Sequence, residues 1–211
     1  MMITRPEHDP GLRYLSAWSS KIIEVAEEKG FEVIDLKDKK VTKSEFEGRI
    51  LKTKPDVVIL NGHGSADSVT GHDNEELVRS GDNDHLLKNR ITYAVSCDSA
   101  ADLGKKCGDS TTAYIGYDQK FIFSIDSRYL NRPLEDMRAQ RFLEPSNHVA
   151  ISLLKNHTAK ESSDRSKEAS LRTIRSLLTS NHMDPDSLDD AKDIYWNMKH
   201  QVCLGAEDAR I

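Results

Sequence analysis

Two short segments of this chain concentrate residue types that transfer acyl groups. Asn61-Gly62-His63-Gly64-Ser65 directly follows the apolar run Val57-Val58-Ile59-Leu60, and Ser96-Cys97-Asp98-Ser99-Ala100 directly follows Ile91-Thr92-Tyr93-Ala94-Val95. A thiolate is a strong nucleophile and imidazole titrates near neutrality, so Cys97 and His63, brought together, would serve as nucleophile and general acid–base. Residues 99–106 read as helical, which would set Cys97 just before a helix N-terminus, where the peptide dipole and a nearby imidazole lower a thiol pKa. The glycines beside His63 are expected to let the backbone turn sharply and to free the Gly64 N–H. With the Cys97 N–H it would form an oxyanion hole worth on the order of 3 kcal/mol per donor. A lone cysteine at a strand end is by default a small buried hydrophobe; what favours function is that both residues end successive core strands. Cys107 and Cys203 lack such settings and read as structural. Three cysteines without a C-x-x-C pair also argue against a disulfide framework or a structural zinc site.

The elements that must hold these residues alternate along the chain, the pattern of a mostly parallel sheet with helices on its faces. Residues 13–29 put Leu15, Trp18, Ile22, Val25 and Ala26 on one helical side, with Gly30 as a stop, and Phe31 to Leu36 reads as a short strand. Residues 44–53 read as a helix with Phe46, Ile50 and Leu51 inward and Ser44 as cap. The continuous apolar runs at 57–60 and 91–95 suit strands covered on both faces, and they are expected to be near neighbours joined by one helix-length connection. Residues 112–115 read as a further strand and 120–125 as another; 126–145, with two prolines and many charges, reads as a loop with at most a short helix. Helices are predicted at 147–155, at 166–179 with Leu171, Ile174, Leu177 and Leu178 inward, and at 186–200 with Leu188, Ala191, Ile194, Tyr195 and Met198 inward. In such sheets ligands sit beyond the carboxyl ends of the strands, which is where His63 and Cys97 fall.

Strand–Gly-His-Gly followed by strand–Ser-Cys-Asp-Ser-Ala resembles the clan CD cysteine peptidases: caspases, gingipains, separases and the bacterial caspase-like and CHAT proteins. The resemblance covers about residues 1–180; it is strong at the two motifs and general elsewhere. It implies a caspase-like three-layer α/β sandwich with a mainly parallel central sheet of about five or six strands and helices on both faces, followed by a helical extension over 181–211 packed on the same domain. It also implies peptide-bond hydrolysis through a thioester at Cys97, with His63 protonating the leaving amine and the Gly64 amide as oxyanion donor. Members choose one side chain to cut after, through a charged group at the pocket base. The loop after the first strand runs Arg5-Pro6-Glu7-His8-Asp9-Pro10, with both signs present. Asp9, with Asp98, is the expected acidic base of a pocket for Arg or Lys; cleavage after Asp is the alternative, and the plainer reading has Asp9 ending a loop and Asp98 capping a helix. Val95 departs from the polar residue that helps line this pocket in caspases and metacaspases. Some relatives need calcium, and His72-Asp73-Asn74-Glu75-Glu76 with Asp82 and Asp84 is the candidate site; the spacing matches no defined loop, so a solvated polar connection is the plainer reading and no other cofactor is expected. Arg128, Arg132, Arg138 and Arg141 in the loop 126–145 offer an autoprocessing site, or an ordinary basic surface loop. Bacterial relatives often work in defence or programmed cell death, with a regulatory or activating protein partner.

The whole-chain balance fits this reading. The 211 residues include 30 Lys+Arg against 35 Asp+Glu, and no basic stripe is evident, which disfavours a nucleic-acid ligand. Apolar runs of about four residues are far short of a membrane span, and no signal peptide precedes the first strand-like segment, so the cytoplasm is the expected compartment. Two other classes compete with the peptidase: a catalytically silent caspase-like scaffold that binds a partner, and a glutaminase or acyl-transfer enzyme. The latter usually carries glycine beside its nucleophile, where this chain has Ser96 and Asp98.

Overall fold

A central sheet in the order β2-β1-β3-β6-β7-β8 organises the chain, as seen in a computed structural model that describes residues 1–109, 111–179 and 185–211. The strands are β1 (Met2–Arg5), β2 (Ile34–Lys37), β3 (Val57–Asn61), β6 (Ile91–Val95), β7 (Ala113–Tyr117) and β8 (Gln201–Gly205), while β4 (Ser68–Thr70) and β5 (Glu76–Arg79) form a separate antiparallel hairpin. All pairings in the large sheet are parallel except β7 with β8. Side chains along each strand alternate between two cores. Ile3, Val57, Ile59, Ile91, Tyr93 and Val95 face a core closed by α1 (Pro10–Glu28), α4 (Met137–Leu154), α5 (Ala159–Thr179) and α6 (Ser187–His200). Met2, Val58, Leu60 and Ala94 face a smaller core closed by α2 (Lys43–Thr53), α3 (Leu103–Cys107) and the hairpin. The result is the expected three-layer α/β sandwich, and no helix among the described residues is long and apolar enough to cross a membrane.

Several local readings needed tertiary context. β3 reaches β6 through the hairpin and short 3-10 turns, not through an α-helix. Residues 120–125 are not a strand but an extended loop past β7, while β8, inside the predicted helical extension, takes the sheet edge there. The boundary expected at 180/181 lies outside the described residues. The charged stretch 126–145 contains the first half of α4, which runs through Pro145. Proline forfeits one helical hydrogen bond, which is why the sequence reads as a break; here the Asp136 carboxylate caps the helix by accepting from the Arg138 and Ala139 N–H groups. Thr42, not Ser44, caps α2, and Leu51 lies exposed.

Hydrophobic periodicity placed half of the inward face of α5: Leu177 is buried and Ile174 packs against the core. Leu171 and Leu178 are exposed, and the inward face carries Ser162, Ser163, Ser166, Ala169 and Ser170. Small side chains let α5 approach α4 closely, and several of their hydroxyls are partnered: Ser166 donates to the Pro145 carbonyl at 2.9 Å, Ser163 to Gln201 Oε1 at 3.1 Å and Ser170 to the Ser166 carbonyl at 3.1 Å. Leu188 and Tyr195 of α6 are likewise exposed, with Ala191 and Ile194 inward.

Candidate active site

The order of the sheet reverses at β1: β2 lies on one side of it and β3 on the other. That junction is where α/β sheets leave a crevice past their strand ends. The strand ends are stitched there by Thr4 and Asn61, whose buried side chains bond each other's backbone, with Asn61 N to Thr4 Oγ1 at 3.0 Å and Asn61 Nδ2 to the Thr4 carbonyl at 2.7 Å. Past β1, Arg5 is spent inside the fold: it donates to Asp35 and, at 3.0 Å, to the Ser16 carbonyl. It offers no free guanidinium to a substrate.

Asp9 joins the two loops. One oxygen caps α1 by accepting from the Leu12 N–H at 2.9 Å, and the other lies 2.7 Å from His63 Nε2. Burial acts to raise the Asp9 carboxyl, but the Leu12 N–H and the His63 imidazole outweigh it and hold the group below its ordinary 3.8. Asp9 is thus engaged by His63 and by the helix, in contrast to the expected free base of a substrate pocket. A carboxylate on Nε2 fixes the ring, leaves Nδ1 as the reacting nitrogen and stabilises an imidazolium.

The glycines around His63 serve close approach rather than a sharp turn. A Cβ on Gly62 would stand 2.0 Å from the Thr70 carbonyl oxygen, and one on Gly64 would stand 2.5 Å from the Cys97 carbonyl oxygen and 3.0 Å from Ser96 Oγ. The His63 carbonyl accepts from the Thr70 N–H at 2.9 Å and the Ser65 N–H donates to the Ser68 carbonyl at 3.0 Å. These bonds flank the antiparallel bridge Gly64–Val69, making it a pair that exchanges no hydrogen bonds itself. The Gly64 N–H therefore points away from its hairpin partner Val69.

Parallel pairing sets Asn61 opposite Val95, so His63 and Cys97 each sit two residues beyond a paired position on neighbouring strands. The surroundings of Cys97 differ from expectation. Residues 98–102 are turns and α3 starts only at Leu103, so no helix N-terminus abuts the thiol. Sγ lies 3.9 Å from the Phe121 carbonyl oxygen, and the Asp98 N–H donates to the Gln119 carbonyl at 3.1 Å. Burial, the largest influence, pushes the Cys97 thiol above its ordinary 9.0; Asp98 adds to this, while the Phe121 contact and Lys120 oppose it. Cys107 and Cys203 are pushed up to about 12, also by burial, as suits structural thiols. Asp98 is half-buried with φ 59°, next to the thiol, and caps no helix. Val95 is packed in the core and lines no opening.

The loop 118–125, expected in part as a strand, acts instead as a cover. It lies over Cys97 and is pinned by α6: Asn197 accepts from the Ile122 N–H at 2.9 Å and donates to the Ile122 carbonyl at 2.5 Å, and Trp196 Nε1 donates to the Lys120 carbonyl at 3.0 Å. The arginines offered for autoprocessing are engaged: Arg128 by Asp126, Arg132 by Glu135 at 2.8 Å, and Arg138 and Arg141, inside α4, by the fully buried Asp190 at 2.8 and 2.7 Å. His8, given no role by sequence reasoning, and His72, expected only as part of a calcium site, join the site. His8 packs edge-on to His63 and His72, with ring centroids 6.1 and 5.5 Å apart. The signal for both lay in polar loops that directly follow strands. No protein-family model and no curated protein matches this chain.

Proposed function

We propose that the chain is a cysteine endopeptidase in which Cys97 attacks the peptide carbonyl and His63 relays the proton. The observation that carries this is the placement of His63 and Cys97 at equivalent positions past adjacent parallel strands, with Asp9 holding His63 Nε2. Because the resting thiol is protonated, the reaction starts with neutral Cys97. As a peptide docks, His63 Nδ1 takes the thiol proton, sulfur bonds to the carbonyl carbon, and the oxyanion meets the Gly64 and Cys97 N–H groups. His63 then gives its proton to the departing amine, leaving a thioester that water hydrolyses. Cleavage after Arg or Lys rests on Asp98, since Asp9 is engaged elsewhere; cleavage after Asp is the competing outcome in a fluorogenic peptide panel.

The covered thiol beneath Phe121 favours one second reading, a silent caspase-like scaffold that binds a protein partner. Labelling with an arginyl chloromethylketone, mapped by peptide mass, separates the two. Selective modification of Cys97, absent in Cys97→Ala, supports the peptidase; equal labelling of Cys97, Cys107 and Cys203 overturns it. The cytoplasmic setting, a regulatory partner and a defence or cell-death role belong to this proposal.

A further inference from the structure

The loops after β1 and β4 bring His8, His72 and Asp73 together, with one donor atom from each lying within 4.8 Å of the others. The Asp73 N–H donates to His8 Nδ1 at 3.2 Å, so this nitrogen carries a lone pair on the Asp73 side, and the His8 proton sits on Nε2, 3.8 Å from Asp9 Oδ2. The His72 ring lies between two carboxylates, with Nδ1 3.5 Å from Asp38 Oδ1 and Nε2 3.5 Å from Asp73 Oδ1. Two imidazoles and a carboxylate thus converge, an ion on His8 Nδ1 taking over the lone pair that accepts the Asp73 N–H, while a second carboxylate stands near the far side of each ring. Metal-bound histidines almost always have such a carboxylate or carbonyl on the far nitrogen, where it fixes the tautomer and strengthens the ligand. The far nitrogens, His8 Nε2 and His72 Nδ1, are buried without a hydrogen-bond partner, and the side chains are only 13% and 17% exposed. Buried ring nitrogens held just short of their carboxylates are costly unless something draws the rings in.

We propose that His8, His72 and Asp73 bind one divalent transition-metal ion of the zinc class. Two imidazoles and one carboxylate form a borderline-soft set with a position open to water, unlike the all-oxygen cage that calcium takes. Of the acidic residues expected to gather calcium, only Asp73 joins this group, while Glu76 pairs with Arg79 at 2.8 Å, Asp82 with Lys43 at 2.5 Å, and Asp84 with the Gly81 N–H at 3.1 Å. His8, Asp9 and His63 form an overlapping group, but the His8 nitrogen facing Asp9 is the protonated one. The ion therefore leaves His63 unligated and acts on it through Asp9. With Nδ1 on a cation, the His8 Nε2–H becomes a stronger donor to the oxygen that also holds His63. This coupling rests on the peptidase reading; the binding does not.

The experiment titrates chelator-stripped full-length protein with Zn²⁺ against a chromophoric chelator, and with Co²⁺ followed by its visible absorption. We expect one ion per chain, affinity reduced more than about 100-fold in His72→Gln and about tenfold in Asp38→Asn, and no change in His157→Gln or Cys97→Ala. Thermal melts of the stripped variants establish that each is folded. Absence of one-to-one binding, preference for Ca²⁺ over Zn²⁺, or loss of binding in His63→Gln with retention in His72→Gln would each overturn the site. Binding is read without substrate, so an inactive protein that binds zinc refutes only the peptidase, and an active one that does not refutes only the metal site.

Discussion

At the residue scale, the site turns on which groups already have partners. Asp9 has both oxygens committed, and its role is separable by substitution. Asparagine caps a helix about as well as aspartate, so Asp9→Asn should leave the α1 cap in place and remove the charge behind His63. The expected result is kcat lower by about 100-fold on a peptide substrate with a nearly unchanged thermal midpoint; an unchanged kcat would detach Asp9 from catalysis. Because folding depresses the Asp9 pKa, its ionised form stabilises the fold above the ordinary value of 3.8, and this contribution is lost as pH falls through the lower folded value. Acid unfolding of Asp9→Asn should accordingly be less steep in that window. Cys97 is the opposite case. With its pKa raised by burial, iodoacetamide labelling of the substrate-free protein should keep rising through and beyond pH 9.0. A labelling midpoint below neutrality would show a preformed thiolate and contradict the proton-relay mechanism.

At the element scale, two loops and a hairpin touch through glycine. Gly64→Ala drives a methyl group toward the Cys97 carbonyl oxygen, at 2.5 Å without relaxation. We expect a cost of about 1–3 kcal/mol in urea unfolding and a loss of kcat/KM far larger than that destabilisation explains. Gly48→Ala is the control: it sits inside α2 with open space around its Cβ position. It should stabilise by about 0.5–1 kcal/mol and leave labelling of Cys97 unaltered. Strands of continuous apolar residues were legible in the sequence, because burial on both faces leaves a local mark, whereas the caps, such as Asp9 on α1 and Thr42 in place of Ser44 on α2, needed the structure. α4 and the serine face of α5 were not legible either. Pro145 reads as a break until its neighbours compensate, and a serine face reads as solvent-exposed until Gln201 and the α4 backbone partner its hydroxyls.

At the scale of the whole molecule, the last described helix and strand support the site from a distance. Asp190, at 0% exposure, ties α6 to Arg138 and Arg141 of α4, and Asn197 of the same helix pins the loop over Cys97. Removing a buried charged partner is costly, so Asp190→Ala should lower stability by about 3 kcal/mol. It should also speed labelling of Cys97 as α6 loosens its hold, and unchanged labelling would uncouple α6 from the thiol. The sequence by itself determined the α/β layering, the runs that form the central strands and the two strand ends carrying His63 and Cys97, since each is written in contiguous residues. Only the tertiary structure decided that Asp9 contacts His63, that loop 118–125 covers the thiol, and that His8 meets His72 and Asp73. Those relations join residues up to 65 positions apart, and a thiol's burial is a property of the neighbours the chain brings together.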